Sequence, residues 1–210
     1  IGKIGERGYR QAGPALHQRL GEEDARVRRE VVRNLGKVKY EPAIEDLADL
    51  VPDSSADMVR ALADAFKAYG KTGIDLIVSR YDSPSQSSNR GAYKDLMIAV
   101  GPEIADSISK LLKGRSFFEN RDTFDILRSI KNPRVATLML PYLADEEVAE
   151  QVIEAMRHLG SNAVEATITA LQKQKKSGEL LVTERLIRIL GLLKAKPGIE
   201  MLESYSQHDS

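Results

Sequence analysis

One six-residue pattern returns at nearly constant spacing through this chain, and such a period restricts the possible folds more than any other feature of the sequence. It consists of a small or apolar residue, a large apolar residue, two spacers, an apolar residue and then Gly or Lys. The copies are NLGKVK (34–39), AFKAYG (65–70), LMIAVG (96–101), ILRSIK (126–131), AMRHLG (155–160) and ILGLLK (189–194), with IGKIG (1–5) as a shortened one. Their closing positions, 5, 39, 70, 101, 131, 160 and 194, lie 34, 31, 31, 30, 29 and 34 residues apart. A unit of that length holds two short helices and their turns.

Residues 24–51 show how one unit works. Asp24 can accept hydrogen bonds from the orphan N–H groups at a helix start, and Val27, Val31, Leu35 and Val38 follow at helical spacing on one face. The chain then turns at 39–41. Pro42 stands where a missing N–H costs nothing, and Ile44, Leu47 and Val51 make the apolar face of a second helix. Pro102, Pro133 and Pro197 recur at nearly the same phase. First (A) helices are expected near 22–38, 54–69, 87–100, 117–130, 145–159 and 179–193. Second (B) helices are expected near 41–51, 72–81, 103–113, 133–143, 162–175 and 197–206, with another near 9–20.

Neither helix of a unit can bury its apolar stripe alone, so neighbouring units must stack. The expected fold is all-α: an α-solenoid, a right-handed superhelix of antiparallel helix pairs. It is read as a single repeat domain over 1–210, with about six full pairs after a partial first repeat. The opening residues, IGKIG, read as the tail of a helix cut away at its start, so the chain is expected to be part of a longer one.

Composition agrees and excludes some functions. Hydrophobic residues make up 42% of the 210 and aromatic residues only 5%, with no Trp, which suits helices packed through small aliphatic side chains. Lys plus Arg and Asp plus Glu number 31 each, so no global field draws in nucleic acid or an anionic membrane. The absence of Cys removes disulfides, thiolate nucleophiles and cysteine-bound metals. No apolar run approaches the roughly 20 residues that span a bilayer, and a cytoplasmic location is expected.

The pattern resembles the HEAT-repeat family in its short bacterial and archaeal form, the PBS-lyase HEAT-like repeats. Asp24, Val27, Arg28, Val31, Leu35 and Gly36 carry the likeness in one unit, and Asp57, Val59, Arg60, Ala63 and Phe66 in the next. Val148, Val152, Ala155 and Met156 keep the apolar skeleton, but Ala149 stands where Arg would be, and 83–101 has no Val-Arg at all. The resemblance implies a HEAT-like solenoid whose B helices line the concave, ligand-facing side, with Asp and Arg of successive units interlocking.

Candidate chemistry is sparse. His17, His158 and His208 are each without a following Glu, so the His-Glu pairs by which the HEAT-like deoxyhypusine hydroxylases bind iron are absent; neither metal nor cofactor is expected. Gly2, Gly5, Gly8 and Gly13 lack the strand context of a phosphate loop and read as turn residues. Residues 83–88 (SPSQSS) read as a polar connector. Lys173, Lys175 and Lys176 read as cations closing a B helix. Arg26, Arg28, Arg29, Arg33, Lys37 and Lys39 crowd one helix, while Glu41, Glu45, Asp46, Asp49 and Asp53 crowd the next. That separation is either a solvated face with local ion pairs or an acidic inner rim beside a basic ridge.

No acid, base and nucleophile set converges, so the chain reads as a non-catalytic scaffold for a protein partner, without nucleic-acid or membrane binding. The expected contact residues interleave with the apolar positions of the B helices: Glu45, Asp49, Asp75, Arg80, Asp106, Lys110, Arg134, Thr137, Glu165 and Thr169. The competing reading is the bilin attachment that gives the repeat subgroup its name.

Overall fold

The computed structural model describes residues 10–112, 117–177 and 179–194, and among them there is no strand. The helices in chain order are α1 (Gly13–His17), α2 (Ala25–Val38), α3 (Ile44–Asp49), α4 (Ala56–Tyr69), α5 (Lys71–Asp82), α6 (Arg90–Val100), α7 (Ala105–Ser109), α8 (Phe117–Ser129), α9 (Pro133–Met139), α10 (Ala149–Leu159), α11 (Ser161–Ser177) and α12 (Leu180–Leu193). The even series α2, α4, α6, α8, α10 and α12 are the expected A helices. The pattern copy at 1–5, the helix expected at 197–206, Pro197 and His208 lie outside the described residues. Contacts gather into two compact units, Ile1–Ser107 and Ile108–Ser210.

In five of the six described copies the closing residue of the pattern is the point at which the A helix stops; α8 ends earlier, at Ser129, two residues before Lys131. Lys39, Gly70, Gly101, Gly160 and Lys194 all have positive φ, between 49° and 78°. A left-handed residue there turns the chain out of the helix and lets its N–H satisfy a terminal carbonyl. Helix starts are equally local. Asp24 Oδ1 accepts from the backbone N–H of Arg26 (2.7 Å) and Val27 (3.2 Å), and Ser55 and Asn132 cap α4 and α9 in the same way.

In the first unit, Val31 and Leu35 of α2 are wholly buried and Val38 nearly so; burying one such side chain contributes roughly 1.5–3 kcal/mol. In this unit α2 packs on α4 and α4 on α6, and Gly36 sets the approach of α4 to α2. A Cβ at Gly36 would stand 2.5 Å from the Ala65 Cα and 2.8 Å from its Cβ. Tyrosines tie repeats through backbone carbonyls: Tyr69 donates to the Tyr40 carbonyl at 2.7 Å, and Tyr93 to that of Ala48 at 3.1 Å. In the second unit Tyr142 donates to the Ser109 carbonyl at 3.3 Å. Burial is the leading cause that pushes all three phenols above their ordinary range.

The B positions depart from expectation in continuity. Instead of one helix over 41–51 there is a 3-10 turn, Glu41–Ala43, and then the six-residue α3. At 103–113 the short α7 is flanked by 3-10 turns Gly101–Ile104 and Lys110–Leu112. The expected 133–143 ends as an α-helix at Met139 and continues as a 3-10 segment, Leu140–Ala144. Pro141 explains this last break, since it offers no N–H and its ring crowds the preceding turn. The first B segment, expected over 9–20, is likewise a 3-10 turn followed by the five-residue α1. Residues 83–88, read as a connector, lie largely in a 3-10 segment, Pro84–Asn89, that kinks at Gln86. Several A helices begin two to four residues later than expected, at Ala25, Ala56, Arg90 and Ala149.

Candidate functional site

All ten expected contact residues are exposed or half-exposed on B segments, and the structure divides them by unit. Five of them, Glu45, Asp49, Asp75, Arg80 and Asp106, fall in the first unit, and three of these partner one another. Arg80, from α5, reaches Glu45 Oε2 at 2.7 Å and Asp49 Oδ1 at 3.1 Å on α3. The Glu45 hydrogen bond, chiefly, holds the Arg80 guanidinium even more firmly charged than usual. Asp75 accepts from the Ser107 hydroxyl at 2.9 Å and pairs with Lys71. Asp106 is half-exposed on α7, and Lys110 is exposed in the 3-10 turn after it.

Ion pairs also engage part of the polarised first repeat. His17 Nε2 donates to Asp46 Oδ2 at 2.5 Å, with its ring edge-on to Tyr40. Arg33 bonds Glu30, and Arg29 reaches across repeats to Asp57 at 3.2 Å, the interlock that the family resemblance implied. Five of the eleven charged residues of the ridge and rim, Arg29, Arg33, Glu45, Asp46 and Asp49, thus stand in ion pairs, each worth about 0–1 kcal/mol at such exposure.

The second unit holds Lys110 and the other four, and those four, Arg134, Thr137, Glu165 and Thr169, surround a groove of about 590 Å³ between α9 and α11. Its geometry follows from helix phase. On α11, Ala163, Thr167 and Leu171 point inward and are fully buried, with the Thr167 hydroxyl bonded to the Ala163 carbonyl. One position over, Ala166 and Ala170 form half-buried walls that leave space, and Glu165, Thr169 and Lys173 make the outer edge. On α9, Asn132 caps the start and Pro133 occupies the first turn, which sets Arg134 and Thr137 on the opposing edge. Leu140, Val182 and Leu186 close the floor. From Glu165 to Gln174 the groove follows ten residues of helix, about 14 Å at the usual rise.

Three of the lining residues carry charge, Arg134 and Lys173 against Glu165, over an apolar floor. Small-molecule and peptide sites share this pattern of apolar contact fixed by a few polar groups. Lys173, read from the sequence as a helix-closing cation, lies on the groove edge; Lys175 and Lys176 follow on α11, and their side chains lie outside the described residues. Ala166, Ala170 and Pro141 were not anticipated as site residues. The only sequence signal for them is the pair of alanines four apart on an otherwise polar helix face.

Among the described residues no group of three His, Asp or Glu side chains is gathered as a metal site requires. His158 is exposed, with Nδ1 2.9 Å from the Glu154 carbonyl. No helix of the described residues is long and apolar enough to cross a membrane.

Stacked helix pairs with a repeating closing turn define the class: the chain is an all-α solenoid. Within it, residues 1–67 match the family described as HEAT repeats. Two crystal structures of engineered proteins from the Northeast Structural Genomics Consortium are similar at 18% identity. One alignment covers 87% of this chain and 96% of the other with a TM-score of 0.37; the second covers 88% of this chain and 58% of the other with a TM-score of 0.34. No curated protein matches the sequence.

Proposed function

We propose that the protein is a non-catalytic scaffold that binds a partner protein on its B helices, with the groove between α9 and α11 as the principal seat. The observation that supports this reading most is the groove itself, which brings together Arg134, Thr137, Glu165 and Thr169 over an apolar floor. Its length suits a short helix or about four extended residues of a partner, at roughly 3.3 Å for each residue of strand. Its polar edges select for orientation, and its floor supplies contact energy.

A displayed-peptide selection on the immobilised chain tests this directly. Selected peptides are expected to lose at least about tenfold in affinity when Ala170→Trp fills the groove, with the melting temperature unchanged. Peptides that bind the filled variant as tightly as the parent chain contradict the proposal.

A further inference from the structure

The two ends of the α9–α11 groove differ in chemistry. Their positions follow from helix direction. Arg185 of α12 donates to the Leu143 carbonyl at 2.5 Å, so the end of the segment begun by α9 stands beside the start of α12, and hence beside the end of α11. The two B helices therefore run the same way. Arg134 and Glu165 share the end at which both begin, and Lys173 shares the other with Leu140 and Pro141.

That second end is both apolar and positively charged. Leu140 is nearly buried, and Val182 and Leu186 of α12 lie beneath it. At the rim Lys173 is exposed and pairs with no other described residue. At the first end the signs offset each other, since Arg134 lines the wall opposite Glu165. Charge selection thus falls to Lys173. The groove is also complete in itself, walled by α9 and α11 and floored by α12. Val164 and Ile168, a half-buried apolar pair, lie at helical spacing on the opposite side of α11, so a further helix packed against them would leave the groove open.

Building on the groove as the partner's seat, we infer that the partner offers a peptide segment in which a large aliphatic or aromatic side chain stands within one or two residues of an Asp or Glu. The apolar side chain enters between Leu140, Pro141 and Leu186, where its burial supplies the contact energy. The carboxylate meets the Lys173 ammonium at the rim, where it sets orientation and choice of partner more than affinity. Thr137 and Thr169, midway along, present hydroxyls that can donate to or accept from the segment's backbone. A basic segment is rejected because its cation would face Lys173 with no acid beside it.

Peptides selected by display on the parent chain, synthesised with amidated C-termini and titrated by fluorescence anisotropy, test this. Those that lose at least about tenfold on Ala170→Trp are the groove binders. They are expected to carry Asp or Glu beside a large apolar residue. Replacing that acid by its amide weakens them about fivefold and Lys173→Glu about tenfold, whereas Lys37→Glu, at an exposed position of α2, leaves them within about twofold. A peptide with Lys in place of its acid binds the Lys173→Glu variant within about threefold of the original pair, because the exchanged charges again meet their opposites. Groove binders that lack an acid, that ignore Lys173→Glu, that respond equally to Lys37→Glu or that the charge exchange fails to rescue overturn the inference while leaving the groove as the seat. Peptides that all ignore Ala170→Trp overturn the seat as well.

Discussion

The B surfaces of the two units are built from the same repeat yet differ in what fills the furrow between neighbouring helices. In the first unit, long charged side chains span it: Arg80 crosses to Glu45 and Asp49, and Asp75 meets Ser107. In the second, Ala166, Ala170, Thr137 and Thr169 are too short to span, and a groove remains. A solenoid thus assigns one stretch of its surface to holding repeats together and leaves another open, by side-chain length alone. Burial of the apolar stripes is shared by both, so this choice costs the fold little.

The largest expected effect separates the two units by packing. Gly36→Leu forces α4 away from α2 and is expected to cost about 3 kcal/mol in chemical denaturation. Gly191→Leu meets no neighbour and gains helix propensity, so it is expected to leave stability unchanged or to raise it by up to about 0.8 kcal/mol. Equal losses at both positions would show that α12 is as enclosed as α2.

Next come the polar ties. Tyr93→Phe removes a buried hydroxyl bond to the Ala48 carbonyl and is expected to cost about 1–1.5 kcal/mol. Arg80→Ala, which frees Glu45 and Asp49 to solvent, is expected to cost about 1 kcal/mol or less. Thr137→Ala on the open groove is expected to stay within about 0.5 kcal/mol. A Thr137 loss as large as that of Arg80 would erase the distinction between a tied and an open surface.

The smallest effect is a pH dependence. The Arg60 hydrogen bond and charge, with Arg29 behind them, hold the Asp57 carboxyl below the ordinary aspartate range. A depressed folded value stabilises the chain above that range, and the contribution is lost as pH falls through the folded value. Melting curves between about pH 6 and 3 should therefore fall slightly less steeply for Asp57→Asn than for the parent chain. Identical curves would mean that the pairing of Asp57 with Arg60 and Arg29 adds nothing to stability.

Helix existence and phase were legible because each unit repeats the same local instructions. Asp24 caps, the pattern's closing Gly or Lys turns the chain, and the apolar spacing defines the buried face. Pro141 was passed over in the expected helix 133–143, and its consequence is the shortened α9. What joins repeats was not legible. Arg80 and Glu45 are 35 residues apart, and Tyr93 and Ala48 are 45 apart, so whether they meet depends on rotamers and on the exact offset of stacked units. The ten contact positions could be placed on the outer face by periodicity. Their separation into tied and open sets depends on the lengths of neighbouring side chains across the furrow, which no single helix encodes.

The central claim is that the α9–α11 groove, and not the ion-paired surface of the first unit, receives the partner. Amide chemical-shift mapping of the labelled chain with a selected peptide tests it most directly. The account predicts shifts at Thr137, Ala166 and Ala170, with Glu45, Asp49 and Arg80 undisturbed. Shifts concentrated on Glu45, Asp49 and Arg80, with Ala166 and Ala170 unmoved, would contradict it.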